Sequence, residues 1–103
     1  MDKYIPLTEA LFYILLATRK PNHGYGIIQQ VQEITGGRLD IGPGTLYGAI
    51  SSMLEKGWIE LYSEEKDSRK KKEYIITREG KSVFQNEVKR LNELVENAKR
   101  MEE

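Results

Sequence analysis

A chain of 103 residues with 39% hydrophobic content is most simply one domain built on one core. Its 16 basic and 16 acidic residues cancel, so the whole molecule has no bulk attraction to a polyanion and any nucleic-acid contact has to be local. With no cysteine and a single histidine, a disulfide framework and thiolate chemistry are excluded, and neither a zinc site nor any cofactor is expected.

In chain order, Pro6 and then Thr8 as N-cap introduce a mostly buried first helix in "LTEALFYILLATRK". Leu11, Leu15 and Thr18 share one face, with Phe12 and Leu16 beside them. Its apolar run "ALFYILLA" is far short of the roughly 18 residues that span a bilayer. The N-terminus lacks the layout of a signal peptide, so no membrane partner and a cytoplasmic location are expected.

"KPNHG" reads as a turn, with His23 as a cap or turn residue. A second helix, "YGIIQQVQEITGG", places Ile27, Val31 and Ile34 on one face with Ile28 next to them, and Gly36-Gly37 stops it. "RLDI" is too short for more than a strand fragment. The third helix opens at "GPGTLYGAISSML" and runs to "LEKGW". At about 100° per residue, Leu46, Ile50, Met53 and Leu54 fall in one arc facing the core. Gly44, Gly48, Ser51, Ser52 and Glu55 take the other side, with Thr45 and Tyr47 at its margins.

Next come two short β runs, "WIELYS" and "KEYIIT", with Trp58 covering the core edge where helix meets strand. The charged loop between them carries Lys66, Arg69, Lys70, Lys71 and Lys72 against Asp67. From about Arg78 to Glu103 one amphipathic helix closes the chain. Phe84, Val88, Leu91, Val95 and Ala98 form a heptad-like seam that Leu94 and Met101 widen.

Three helices, a hairpin and a long last helix make an α+β, mostly α fold: a winged helix-turn-helix over 1–77 and a C-terminal dimerisation helix over 78–103. So small a domain cannot hide that helix's stripe, which is expected to pack on the first helix and on a second copy, giving a homodimer. The third helix has the profile a major groove demands, since small residues let its axis approach and hydroxyls reach phosphates or base edges. Pro43 suits its first turn, where the amides of Gly44 and Thr45 can meet a phosphate. Glu55 opposes this, though late in the helix. The cations of the hairpin tip can follow the DNA backbone, and Tyr25 can either reach a phosphate or pack under the second helix.

"HGYGI", "GTLYGAISSMLEKGWIE" and "KKKEYIITREGK" resemble, in that order and over nearly the whole chain, the PadR family of bacterial transcriptional regulators. The resemblance implies a homodimeric winged-helix repressor on a palindromic double-stranded DNA operator. It puts Thr45, Tyr47 and Ser51 on the recognition helix and Lys70, Lys71 and Lys72 on the wing. In the family the last helix pairs with the partner's first helix, which would place Leu11 with Phe84, Val88, Leu91 and Val95 at the dimer contact. Family members often release DNA on binding a small-molecule effector, and some stack flat ligands on a tryptophan of the last helix. This sequence has Leu91 and Leu94 there and no aromatic beyond Phe84, which argues against a pocket of that kind. Two other classes compete: a winged-helix dimer serving protein–protein contact without DNA, and an enzyme. The last has no support from a nucleophile–histidine pairing or a phosphate-binding loop.

Overall fold

The computed structural model describes residues 6–64 and 72–102, so Lys66, Arg69, Lys70 and Lys71 lie outside the described residues. The first helix, α1 (Glu9–Ala17), starts where expected, with the Thr8 side chain accepting from the Leu11 amide at 3.1 Å. It stops at Ala17, where the apolar run ends and short of the Lys20 that the expected stretch reaches. Thr18 turns its hydroxyl back on the carbonyls of Ile14 and Leu15, at 3.0 and 3.1 Å. The buried face is Ile14, Leu15, Ala17 and Thr18, while Leu11 is only half-buried.

Asn22 and His23, expected as a bare turn, form a two-residue strand, β1 (Asn22–His23). The His23 ring caps the next helix, α2 (Gly24–Ile34), with Nδ1 accepting from the Gly26 amide at 3.2 Å. Ile27 and Val31 enter the core, but Ile34, expected beside them, is exposed. Gly36 and Gly37 then take positive φ of 62° and 82° and end the turn of helix. "RLDI" forms no strand; only its Ile41 is buried.

α3 (Pro43–Lys56) buries Leu46, Ile50 and Met53, each worth about 1.5–3 kcal/mol of transfer from water. Leu54, expected with them, lies at the edge of that arc and stays exposed. Strands β2 (Ile59–Glu64) and β3 (Lys72–Ile76) pair antiparallel, and β1 joins the far edge of β3, giving the order β1-β3-β2. Asn22 lies opposite Tyr74 and His23 opposite Glu73. Between Leu61 and Ser63 the β2 register slips, leaving Tyr62 as the extra residue of a bulge.

α4 (Arg78–Arg100) is capped by Thr77, whose Oγ1 accepts from the Gly80 amide at 3.0 Å. A Cβ on Gly80 would lie 2.1 Å from the Trp58 carbonyl oxygen, so the first turn of α4 can sit on the sheet only because that residue is glycine. Phe84 then stacks on Phe12, ring centroids 4.7 Å apart. From Leu91 to Glu102 every residue is exposed, and this free end of the helix stretches the molecule to 60 × 33 × 21 Å. The result is the expected arrangement: mostly helical, with helix-turn-helix α2–α3, a β2–β3 wing and a long last helix.

Candidate nucleic-acid interface

Tyr47 and Gly24 interlock. The Tyr47 hydroxyl sits where a Gly24 Cβ would be, 2.2 Å from that ideal position, so the phenol of α3 lies across the first turn of α2. Nearby, the Asn22 amide donates to the Ala17 carbonyl and to Gln30 Oε1, both at 3.0 Å, tying the end of α1 to α2. Gly26 leaves room for that amide. The two sequence stretches "HGYGI" and "GTLY", about twenty residues apart in the chain, are therefore one packed unit that fixes how α2 crosses α3.

On the outward side of α3, Gly44, Thr45, Gly48, Ser51 and Glu55 are exposed and Ser52 is half-exposed. An added Cβ on Gly42, Gly44 or Gly48 would meet nothing within 4 Å, so this side of the helix is open. No side chain caps the helix, and Pro43 at its start brings no N–H. The amides of Gly44 and Thr45 in the first turn thus have no acceptor within the helix and carry the positive end of its dipole. Tyr47 keeps 51% of its surface in water despite its seat on Gly24, and Tyr25 keeps 64%. Tyr25 does not pack under α2, which removes one of its two expected roles.

The described part of the wing places Lys72 exposed at the start of β3. Glu73 next to it is held by the Ser63 hydroxyl, which donates at 2.8 Å. Tyr62, lifted out of register by the bulge, is also exposed. Trp58 covers the core edge as expected, with the Lys56 ammonium 5.6 Å above its ring.

The apolar seam of α4 is divided. Phe84 packs on the core cluster and Val88 is half-buried, whereas Leu94 and Val95 are about half exposed, at 51% and 50%, and Met101 is 83% exposed. Leu91 and Ala98 are exposed with them.

One residue of this region escaped the sequence reading. Glu87 is 3% exposed, and among the described residues no other Asp, Glu, Lys or Arg side chain is buried. Arg90 donates to both of its oxygens, Nε to Oε1 and Nη2 to Oε2, each at 2.8 Å. The Leu7 amide donates to Oε2 at 3.1 Å. The Arg90 hydrogen bonds hold the carboxyl below its ordinary value of 4.5, burial pushes the other way, and the Leu7 amide lowers it further. The signal was available: Glu87 stands three residues after Phe84 and four before Leu91, on the seam face itself. A cleft of about 300 Å³ beside it is lined by Leu7, Phe12, Tyr13, Arg90 and Leu91 among others, so its aromatic rings come from α1 and not from α4.

Among the described residues no cluster of His, Asp or Glu could hold a metal ion, and no helix is long and apolar enough to cross a membrane. The fold matches a transcriptional regulator from Clostridium thermocellum at 20% identity, over 92% of this chain and 93% of that one, with a TM-score of 0.76. A PadR-like transcription factor from Bacteroides fragilis is 24% identical over 89% and 87% of the two chains, with a TM-score of 0.73. RosR of H. salinarum is 24% identical over 88% and 76%, with a TM-score of 0.62. At these identities the likeness is one of fold. No curated protein sequence matches this one. The sequence profile of the transcriptional regulator PadR-like family, however, matches residues 13–86, well over half of the chain. The chain belongs to the PadR-like family, whose members are DNA-binding transcriptional regulators and not enzymes.

Proposed function

We propose that the protein is a repressor that binds a palindromic operator as a homodimer. The observation that carries this reading is the open outward side of α3, where glycines and short hydroxyl side chains from Gly44 to Ser52 leave little bulk to hold the helix away from a groove floor. Gly44, Thr45, Tyr47, Gly48, Ser51 and Ser52 would meet the duplex there, with the first-turn amides on a phosphate. Tyr25, at the start of α2, and Lys66, Arg69, Lys70, Lys71 and Lys72, on the wing, would supply contacts to the flanking backbone. The dimer reading rests on the seam of Leu91, Leu94, Val95, Ala98 and Met101, which projects past the winged domain with nothing among the described residues to cover it. Phe84, Val88 and Leu11 lie at the root of that seam. Each protomer is divided into a DNA-binding domain over 1–77 and a dimerisation helix over 78–103. The cleft between α1 and α4 is the place for a small-molecule effector, because anything bound there presses on the root of the dimerisation helix. A cytoplasmic location goes with this role.

The test is footprinting of the purified protein on the DNA upstream of its own gene. Two protected half-sites about one helical turn apart are expected, and protection without a paired half-site would refute the dimeric operator.

A further inference from the structure

We infer that Glu87 is a positioning residue: it fixes the angle at which α4 leaves the winged domain, and through it the separation of the two recognition helices. The second half of this statement rests on the homodimer proposed above, the first half on one chain alone.

Besides the Thr77 cap and the packing of Val83 against the core, three contacts root α4. Gly80 lies on the Trp58 carbonyl, Phe84 stacks on Phe12, and Glu87 binds the Leu7 amide and Arg90. Glu87 is the outermost of the three, the last anchor before the fully exposed length that begins at Leu91. The other two contacts, a close approach and a ring stack, lie nearer the start of the helix. The carboxylate adds a directional bond: its Oε2 accepts from the Leu7 amide, while Arg90, on α4 itself, holds the carboxyl group in position to receive it. One donor, the Leu7 amide, belongs to the segment leading into α1, 80 residues away in sequence. Rotation or tilt of α4 would break the Leu7 bond, whereas the two from Arg90 move with the helix.

The chemistry supports a specifying role over a stabilising one. A buried carboxylate loses its hydration, and an apolar side chain of similar volume would fill the same place at no such cost. An apolar residue there would continue the seam of Phe84 and Leu91. It would leave the helix free to slide, since apolar packing has no direction. A small movement matters because the free end is long. The 13 steps from Glu87 to Arg100 span about 20 Å at 1.5 Å per residue, so a tilt of about 10° at Glu87 carries the end by roughly 3.5 Å. In a two-fold dimer both protomers contribute that error.

The chain has no cysteine, so spin labels can be placed cleanly at Ser51→Cys on α3 and Arg100→Cys on α4. Diluting the doubly labelled protein in unlabelled protein restricts the measured electron–electron distance to pairs within one chain. The parent should give one narrow distribution. Glu87→Met should shift its mean by up to about 3.5 Å for a tilt of about 10°, or double its width, while Glu87→Gln, which keeps an acceptor for Leu7, should fall between. Val83→Ala, which loosens the packing of α4 on the core without touching the clamp, should leave the distribution where it was. An unchanged distribution in folded Glu87→Met overturns the inference. If that variant does not fold, Arg90→Met frees the same carboxylate at a partly exposed position, and an unchanged distribution there overturns it equally. Labels at Ser51→Cys alone, undiluted, read the separation between protomers. Absence of any such distance in the parent refutes the dimer and the second half of the inference, while leaving the first half to the intrachain result.

Discussion

Two glycines offer a controlled comparison, because their added Cβ atoms would collide at nearly the same distance with neighbours of very different stiffness. Gly24→Ala meets the Tyr47 hydroxyl at 2.2 Å, and Gly80→Ala meets the Trp58 carbonyl oxygen at 2.1 Å. The phenol is the far end of a flexible, half-exposed side chain and can swing toward water. That movement sacrifices some packing but is offset by the better helix propensity of alanine, about 1 kcal/mol, so net destabilisation should stay under about 1 kcal/mol. The Trp58 carbonyl cannot swing. It accepts from the Thr77 amide at 2.9 Å and lies 3.0 Å from the Thr77 hydroxyl, which caps α4. Making room means lifting the start of α4 off the sheet, with about 1 kcal/mol for each hydrogen bond weakened and about 1–3 kcal/mol of overpacking, less the same propensity gain. A net loss of roughly 2–4 kcal/mol should lower the melting temperature of a domain this size by about 10–25 °C. Thermal unfolding followed by far-UV circular dichroism reads both variants. For DNA affinity, measured by fluorescence anisotropy at a temperature where the variant is folded, Gly24→Ala moves a phenol of the proposed interface and should weaken binding about tenfold, a loss of 1.4 kcal/mol. A Gly24→Ala protein that melts as early as Gly80→Ala would show that Tyr47 is locked in place. The packing argument would then fail.

Leu91→Lys puts an ammonium at the start of the exposed seam and should convert the protein to a monomer by sedimentation equilibrium, with the helix content kept; a variant that still dimerises would put the interface elsewhere. Changing Lys70, Lys71 and Lys72 to Ala should flatten the salt dependence of DNA binding by about 0.9 in the log–log slope for each lysine that meets a phosphate. An unaltered slope would remove the wing from the contact. Because the Glu87 carboxyl is held below 4.5 in the folded protein, its contribution to stability is present above that value and disappears as the pH falls through the lowered one. The stability gap between the parent and Glu87→Gln should therefore narrow on acidification below 4.5, and a gap that does not change with pH would mean the carboxylate is not ionised.

Periodicity in the sequence reached the helices and the two longer strands, because each repeats its apolar positions often enough to mark a face. Leu46, Ile50 and Met53 were legible for that reason, as were the caps Thr8 and His23. The same reasoning overreached at Ile34 and Leu54: angular position tells which way a residue points, but not how wide the neighbouring helix or sheet is. β1 is too short to show alternation, and it exists only because β3 offers it an edge at Glu73 and Tyr74. The reasons for Gly24 and Gly80 lie in residues 23 positions downstream and 22 upstream, Tyr47 and Trp58, and no local pattern contains them. Glu87 was hidden by its charge, which reads as surface until the Leu7 amide is seen beside it.

The account depends most on the outward side of α3 meeting DNA. Ser51 stands exposed at its centre, and Ser51→Glu adds an anion there without touching the core. Anisotropy titration of the upstream DNA with this variant should show at least a hundredfold loss of affinity, about 2.7 kcal/mol, with an unchanged melting temperature. Binding as tight as the parent's would contradict the account, because that side of the helix would then be facing something other than a phosphate-lined groove.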